Sequence, residues 1–89
     1  MLTESKHEEE LLQSLVDQKD LIVYNDDYNT FDHVIDALIK ICNHNPLQAE
    51  QCTWIIHHNG KCQVKRGEYS LLEPLCSALL ERGLSATIE

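Results

Sequence analysis

Residues 21–36 read Leu21-Ile22-Val23-Tyr24, then Asn25-Asp26-Asp27-Tyr28-Asn29, then Thr30-Phe31-Asp32-His33-Val34-Ile35-Asp36. Two structural periods meet here across a polar break. The first four residues are a short, wholly apolar run, which suits a central strand. Asn and Asp bond to neighbouring backbone and tolerate turn conformations, so residues 25–29 read as a loop. From residue 30 to 43 the period becomes helical. Val34, Leu38 and Ile41 fall at helical spacing, as do Ile35, Ile39 and Cys42, giving one broad apolar face. Asn29 or Thr30 fits the helix cap, and Asp32 sits in the first turn, where its charge favours the helix dipole.

Working outward toward the C-terminus, Asn45-Pro46 opens a second helix. Asn45 is its cap, Pro46 its first residue, and Gln48 completes a capping box. Cys52, Ile55 and Ile56 form its apolar side, and Asn59-Gly60 ends it. Lys61-Cys62-Gln63-Val64-Lys65 alternates polar and apolar, the period of a strand with one covered face, until Gly67 breaks it. A third helix covers about residues 68–82, with Leu72, Leu75, Cys76, Leu79 and Leu80 as its buried stripe and Gly83 as its stop. Two starts fit it. Ser70 and Glu73 make a capping box near residue 70, whereas a start at Glu68 places Pro74 inside the helix at the cost of a hydrogen bond. Leu84-Ser85-Ala86-Thr87-Ile88 alternates again and makes a closing strand. The order β-α-α-β-α-β predicts an α+β fold, a two-layer α/β sandwich with helices on one face of a three-stranded antiparallel sheet. Residues 1–20 carry six acidic and two basic residues with few apolar anchors, and read as a flexible acidic arm before a domain at 21–89.

Composition narrows the function. The 89 residues hold one core and one site. A net charge of −8 argues against nucleic acid, which needs cations to displace phosphate counterions. It equally disfavours an anionic membrane and suits a cationic ligand or partner. No apolar run approaches the ~20 residues that span a bilayer. The N-terminus lacks the basic-then-apolar layout of a signal peptide, so a cytoplasmic location is expected. Cys42, Cys52, Cys62 and Cys76 are then expected as free thiols. No two of them form a CxxC. Cys42 and His44 with His57 and His58 are the nearest thing to a ligand set, and scattered residues of this kind usually are buried thiols and surface imidazoles.

The densest polar constellation is Asn25-Asp26-Asp27. With Asp32 and Asp36, residues 21–36 hold four carboxylates and no cation. A calcium loop needs more oxygens at alternating spacing. There is no glycine-rich phosphate loop and no serine-nucleophile motif. The stretch either caps its own backbone or receives a cation or amine. Ile56-His57-His58-Asn59-Gly60, at the end of the second helix, is the other polar feature, and it matters if one imidazole faces that loop.

Tyr24-Asn25-Asp26-Asp27-Tyr28, then Val34-Ile35-Asp36, then Ile56-His57-His58-Asn59-Gly60-Lys61, closely resembles the adaptor family called ClpS over about residues 20–89. The resemblance implies a fold also seen in the C-terminal domain of a ribosomal stalk protein. It implies a non-enzymatic adaptor, without cofactor or metal, that binds proteins whose N-terminal residue is Leu, Phe, Tyr or Trp. Such adaptors pass these N-degron substrates to a Clp-family AAA+ unfoldase, ClpA- or ClpC-like, that feeds a protease. Carried over by position, the α-amino-binding residues fall on Asn25, Asp26, Asp27 and His57. The side-chain pocket falls on Val23, Asn29, Phe31, Val34, Thr53, Ile56 and Leu84, and Glu68 is the implied unfoldase contact. Phe31 and Thr53 each stand where the family commonly has Met, so Phe31 is expected to narrow one wall and Thr53 to open another. The alternative is a non-enzymatic protein-binding module sharing only the fold, such as a ribosome-associated domain. That reading calls for a basic or apolar docking face, which the acidic balance disfavours.

Overall fold

Leu21 and Val23 alternate with Ile22 and Tyr24 along the first strand, and this alternation sorts the sheet into a covered and an open face. In the computed structural model, which describes residues 8–12 and 17–89, strand β1 runs Gln18–Tyr24. Helices α1 (Phe31–Cys42) and α2 (Pro46–Asn59) follow, then β2 (Lys61–Glu68), α3 (Tyr69–Glu81) and β3 (Ser85–Ile88). The sheet order is β2-β1-β3, antiparallel throughout. The fold is the expected α+β sandwich. Leu21 and Val23 are essentially buried against Leu38 of α1, Ile56 of α2 and Leu72 and Leu79 of α3. Burying each such side chain contributes roughly 1.5–3 kcal/mol.

Several boundaries differ from the sequence reading. β1 begins at Gln18, so residues 18–20, expected in the arm, pair with Glu68, Gly67 and Arg66. The rest of the expected arm lies largely outside the described residues; of it, residues 8–12 are helical. β2 does not break at Gly67 but continues to Glu68. Its register slips between Leu21 and Ile22, which face Lys65 and Gln63, leaving Val64 as the extra residue of a β-bulge. Val64 turns into the core, and its carbonyl accepts from the buried His44 ring at 2.7 Å. The bulge also moves Lys65 to the helix side, where its Nζ donates to the Cys42 carbonyl at the end of α1 (3.2 Å).

The helix signals hold unevenly. Thr30, not Asn29, caps α1, accepting from the His33 N–H at 3.1 Å. Asn45 caps α2 as expected, accepting from the Gln48 N–H at 2.8 Å, and Gly60 ends it at φ 90°, a conformation that disfavours any side chain. α3 starts beside Glu68, which makes no side-chain cap bond, and keeps Pro74 inside it. The Ser70–Glu73 box is therefore not the start. Pro74 lies early in the helix, where the Ser70 carbonyl it leaves unpaired belongs to an exposed residue open to water. Leu84 precedes β3 and is buried rather than paired.

Candidate functional site

β1 ends at Tyr24, and the loop that follows is built by its own side chains. Asp26 Oδ1 accepts from the backbone N–H groups of Tyr28 and Asn29, both at 2.8 Å, and Oδ2 accepts from the Asn29 amide at 2.6 Å. The same amide donates to the Gly83 carbonyl at 2.9 Å, which ties the loop to the end of α3. Partial burial opposes the Asp26 charge, but the donors from Asn29 and Tyr28 outweigh it and hold the carboxyl below its ordinary range. Asp26 is thus an anionic hub of the loop, while Asp27 beside it is exposed. The Asn25 N–H donates to the Gly60 carbonyl at 2.8 Å. That bond draws the loop to the turn closing α2, one helical turn from His57.

These elements enclose a groove of about 460 Å³, within the usual range for ligand sites. Asn25, Asp26, Asp27 and His57 supply polar lining, and Phe31, Val34, Thr53, Trp54 and Ile56 supply the apolar part, with Asn29 and Thr30 between. Thr53 is buried, and its hydroxyl donates to the Ala49 carbonyl at 2.7 Å, so it makes no polar demand on the groove. A much smaller cavity, about 20 Å³, shares Asn25, Asp26, Asn29, Val34 and Ile56 and adds Val23, Tyr24 and Leu84.

The residues named from sequence therefore divide. Asn25, Asp26, Asp27, His57, Asn29, Phe31, Val34, Thr53 and Ile56 meet around one groove. Val23 and Leu84, both nearly fully buried, line only the smaller cavity. Glu68 pairs with Gln18 at the opposite end of β1, six residues from Tyr24 and so about 20 Å from the groove. Asp36 is drawn away from the site: Lys40 above all, with Arg82, at 3.1 and 3.2 Å, holds its carboxyl below the ordinary range. Sequence reasoning missed Thr30 and Trp54 as lining. Trp54 stands three residues before His57, on the same helix face, and that spacing was a usable signal.

The thiols lie apart from this chemistry. Cys42, Cys52, Cys62 and Cys76 are free. Burial pushes Cys42 up to about 11, and burial with Cys52 alongside pushes Cys62 up to about 12. Neither supplies thiolate near neutral pH. Among the described residues, no three His, Cys, Asp or Glu side chains are grouped to hold a metal ion, and no helix is long and apolar enough to cross a membrane.

The α+β sandwich thus sets an acidic, polar end beside an apolar recess in one groove. Comparison with known proteins gives the family. The model for the ATP-dependent Clp protease adaptor protein ClpS matches residues 16–87. The chain belongs to the ClpS family. It is 42% identical over 40 residues to the ATP-dependent Clp protease adapter protein ClpS of Clostridium acetobutylicum. That stretch is 45% of this chain and spans 40% of the relative's length. The fold is similar to that of Agrobacterium tumefaciens ClpS2 bound to L-phenylalaninamide, with a TM-score of 0.75 and 22% identity over 82% of this chain and 95% of that one.

Proposed function

We propose that this protein binds the N-terminal residue of other proteins, when that residue is bulky and apolar, together with its free α-amino group, and delivers them to a Clp-family AAA+ unfoldase. The observation that carries this reading is the join of two chemistries in one groove. Asn25, Asp27 and His57 line it beside Phe31, Val34, Thr53 and Ile56.

A free N-terminus is mostly an ammonium near neutral pH, with three N–H donors and no acceptor. Asn25 offers its amide oxygen, Asp27 a carboxylate, and His57 an unprotonated ring nitrogen, directly or through water. Hydrogen bonds to a charged group are worth about 1.5–3 kcal/mol each, comparable to burying the side chain next to it. An internal Phe has no ammonium, so the pairing separates a degron from any exposed hydrophobe. Asp26 acts on the amine at one remove, by fixing the loop and adding negative field. L-phenylalaninamide, the ligand of the similar ClpS2 structure, carries a free amine and a benzyl side chain, and its amide stands where a peptide would continue. That chemistry supports the reading.

Delivery is assigned to other surfaces. Glu68, at the far end of the sheet, is free to contact an unfoldase while the groove is filled, and the acidic segment before β1 serves transfer rather than binding. The protein performs no covalent step itself, works in the cytoplasm, and needs neither cofactor nor metal. The test is a binding panel of peptides differing only in residue one. Phe and Leu should bind well and Ser and Glu poorly; an equal response to all four would overturn the pocket.

A further inference from the structure

Trp54 is the sole tryptophan of the sequence, and it is 48% exposed on the groove rim. A half-exposed indole beside a binding groove is a natural contact residue, because it offers a large, rigid surface. Three rings lie around it. Phe31 meets it edge-on, with centroids 4.9 Å apart and planes at 64°. His58 stacks on it at 5.0 Å and 7°. His57 stands edge-on at 6.5 Å. Phe31 is the first residue of α1 and Trp54 belongs to α2, so the Phe31–Trp54 pair bridges the two helices across the groove. The rest of the apolar lining, Val34, Thr53 and Ile56, is small and aliphatic in character.

An aliphatic side chain entering such a recess gains burial alone. A planar ring gains burial and also an edge-to-face or offset partner in Phe31 or Trp54. That additional pairing amounts to roughly 2–12-fold in affinity. We propose that Trp54, by holding Phe31 and completing an aromatic bracket over the groove, makes this site prefer an aromatic first residue, Phe, Tyr or Trp, over Leu. The inference rests on the proposed N-terminal-residue binding at the same groove. Trp54 acts here as a specificity-determining residue, and His58 acts through it by backing the indole.

The experiment uses the full chain and far-end-labelled peptides identical except at residue one, with anisotropy as readout. The unaltered protein should bind the Phe peptide about 2–12-fold more tightly than the Leu peptide. Trp54→Leu should bring that ratio close to one while both peptides still bind better than an N-acetylated Phe peptide. Trp54→Phe should keep the preference, and Phe31→Leu should lose it. A Phe-to-Leu ratio unchanged in both Trp54→Leu and Phe31→Leu, with the dependence on a free amine intact, overturns the bracket and leaves the adaptor reading standing. Equal binding of the free and acetylated Phe peptides by the unaltered protein overturns both.

Discussion

Helices α1 and α2 are of similar length, 12 and 14 residues, and lie side by side, yet they treat their apolar residues in opposite ways. α1 buries Val34, Ala37, Leu38 and Cys42 and turns Asp32 and Lys40 outward. α2 buries only Ala49, Thr53 and Ile56, while Leu47, Trp54 and Ile55 stay exposed. One helix has an apolar stripe that packs on the core, and only its first turn, with Phe31 and Val34, reaches the groove. The other carries apolar groups around much of its circumference without having core contacts for all of them. Of these exposed residues Trp54 alone lines the groove, so the difference separates a helix committed to the core from one that leaves an aromatic side chain on the groove rim.

The contrast is sharpest for substitutions that change one property and not the other. Leu38→Ala, in the α1 stripe, should cost about 2–5 kcal/mol of folding stability, read by chemical denaturation, because Leu38 has no exposed surface and leaves a cavity. His57→Ala, on the exposed last turn of α2, should leave the denaturation midpoint in place and weaken a Phe-initiated peptide by about 1.5–3 kcal/mol. A His57 variant that unfolds the domain while the Leu38 variant stays folded would break the division of labour.

The loop joining the two roles gives a smaller effect and a pH dependence. Asp26 is held below its ordinary range in the folded protein, so the stability it adds is fully present above the usual carboxylate value, roughly pH 4, and fades as pH falls through its lower folded value. Asp26→Asn should flatten the acid limb of the stability–pH curve, measured by denaturation at several pH values. An unchanged acid limb would remove Asp26 from the loop's support. Smallest of all, Leu47→Ala at 64% exposure should move stability by less than about 0.5 kcal/mol.

What was legible in the sequence follows the same line between local and distant causes. The strand–loop–helix unit could be read because its period switches within a few residues, and α2 because Asn45-Pro46 and Gly60 bracket it with local chemistry. β2 reads too short in sequence because its last residues are held by pairing with β1, and the bulge at Val64 leaves the alternation of residues 61–65 unmarked. Gly67 looked like a stop, yet it pairs with Lys19, far away in sequence. The groove's polar residues were found through their motif. Trp54 was not: its spacing of three from His57 places it on that helix face, but its pairing with Phe31 on another helix leaves no local mark. The anchors that place α1, Asn29 to Gly83 and His33 to the Arg82 carbonyl at 2.9 Å, join residues 54 and 49 apart in sequence and leave no local mark.

The central claim is that Asn25, Asp27 and His57 hold an ammonium, not merely an apolar side chain. Calorimetric titration of the full chain with a Phe-initiated peptide and with its N-acetylated copy addresses it most directly. Acetylation removes the charge and two donors while leaving the benzyl group intact, so amine recognition predicts a loss of roughly tenfold or more. Equal affinities for the two peptides would contradict it.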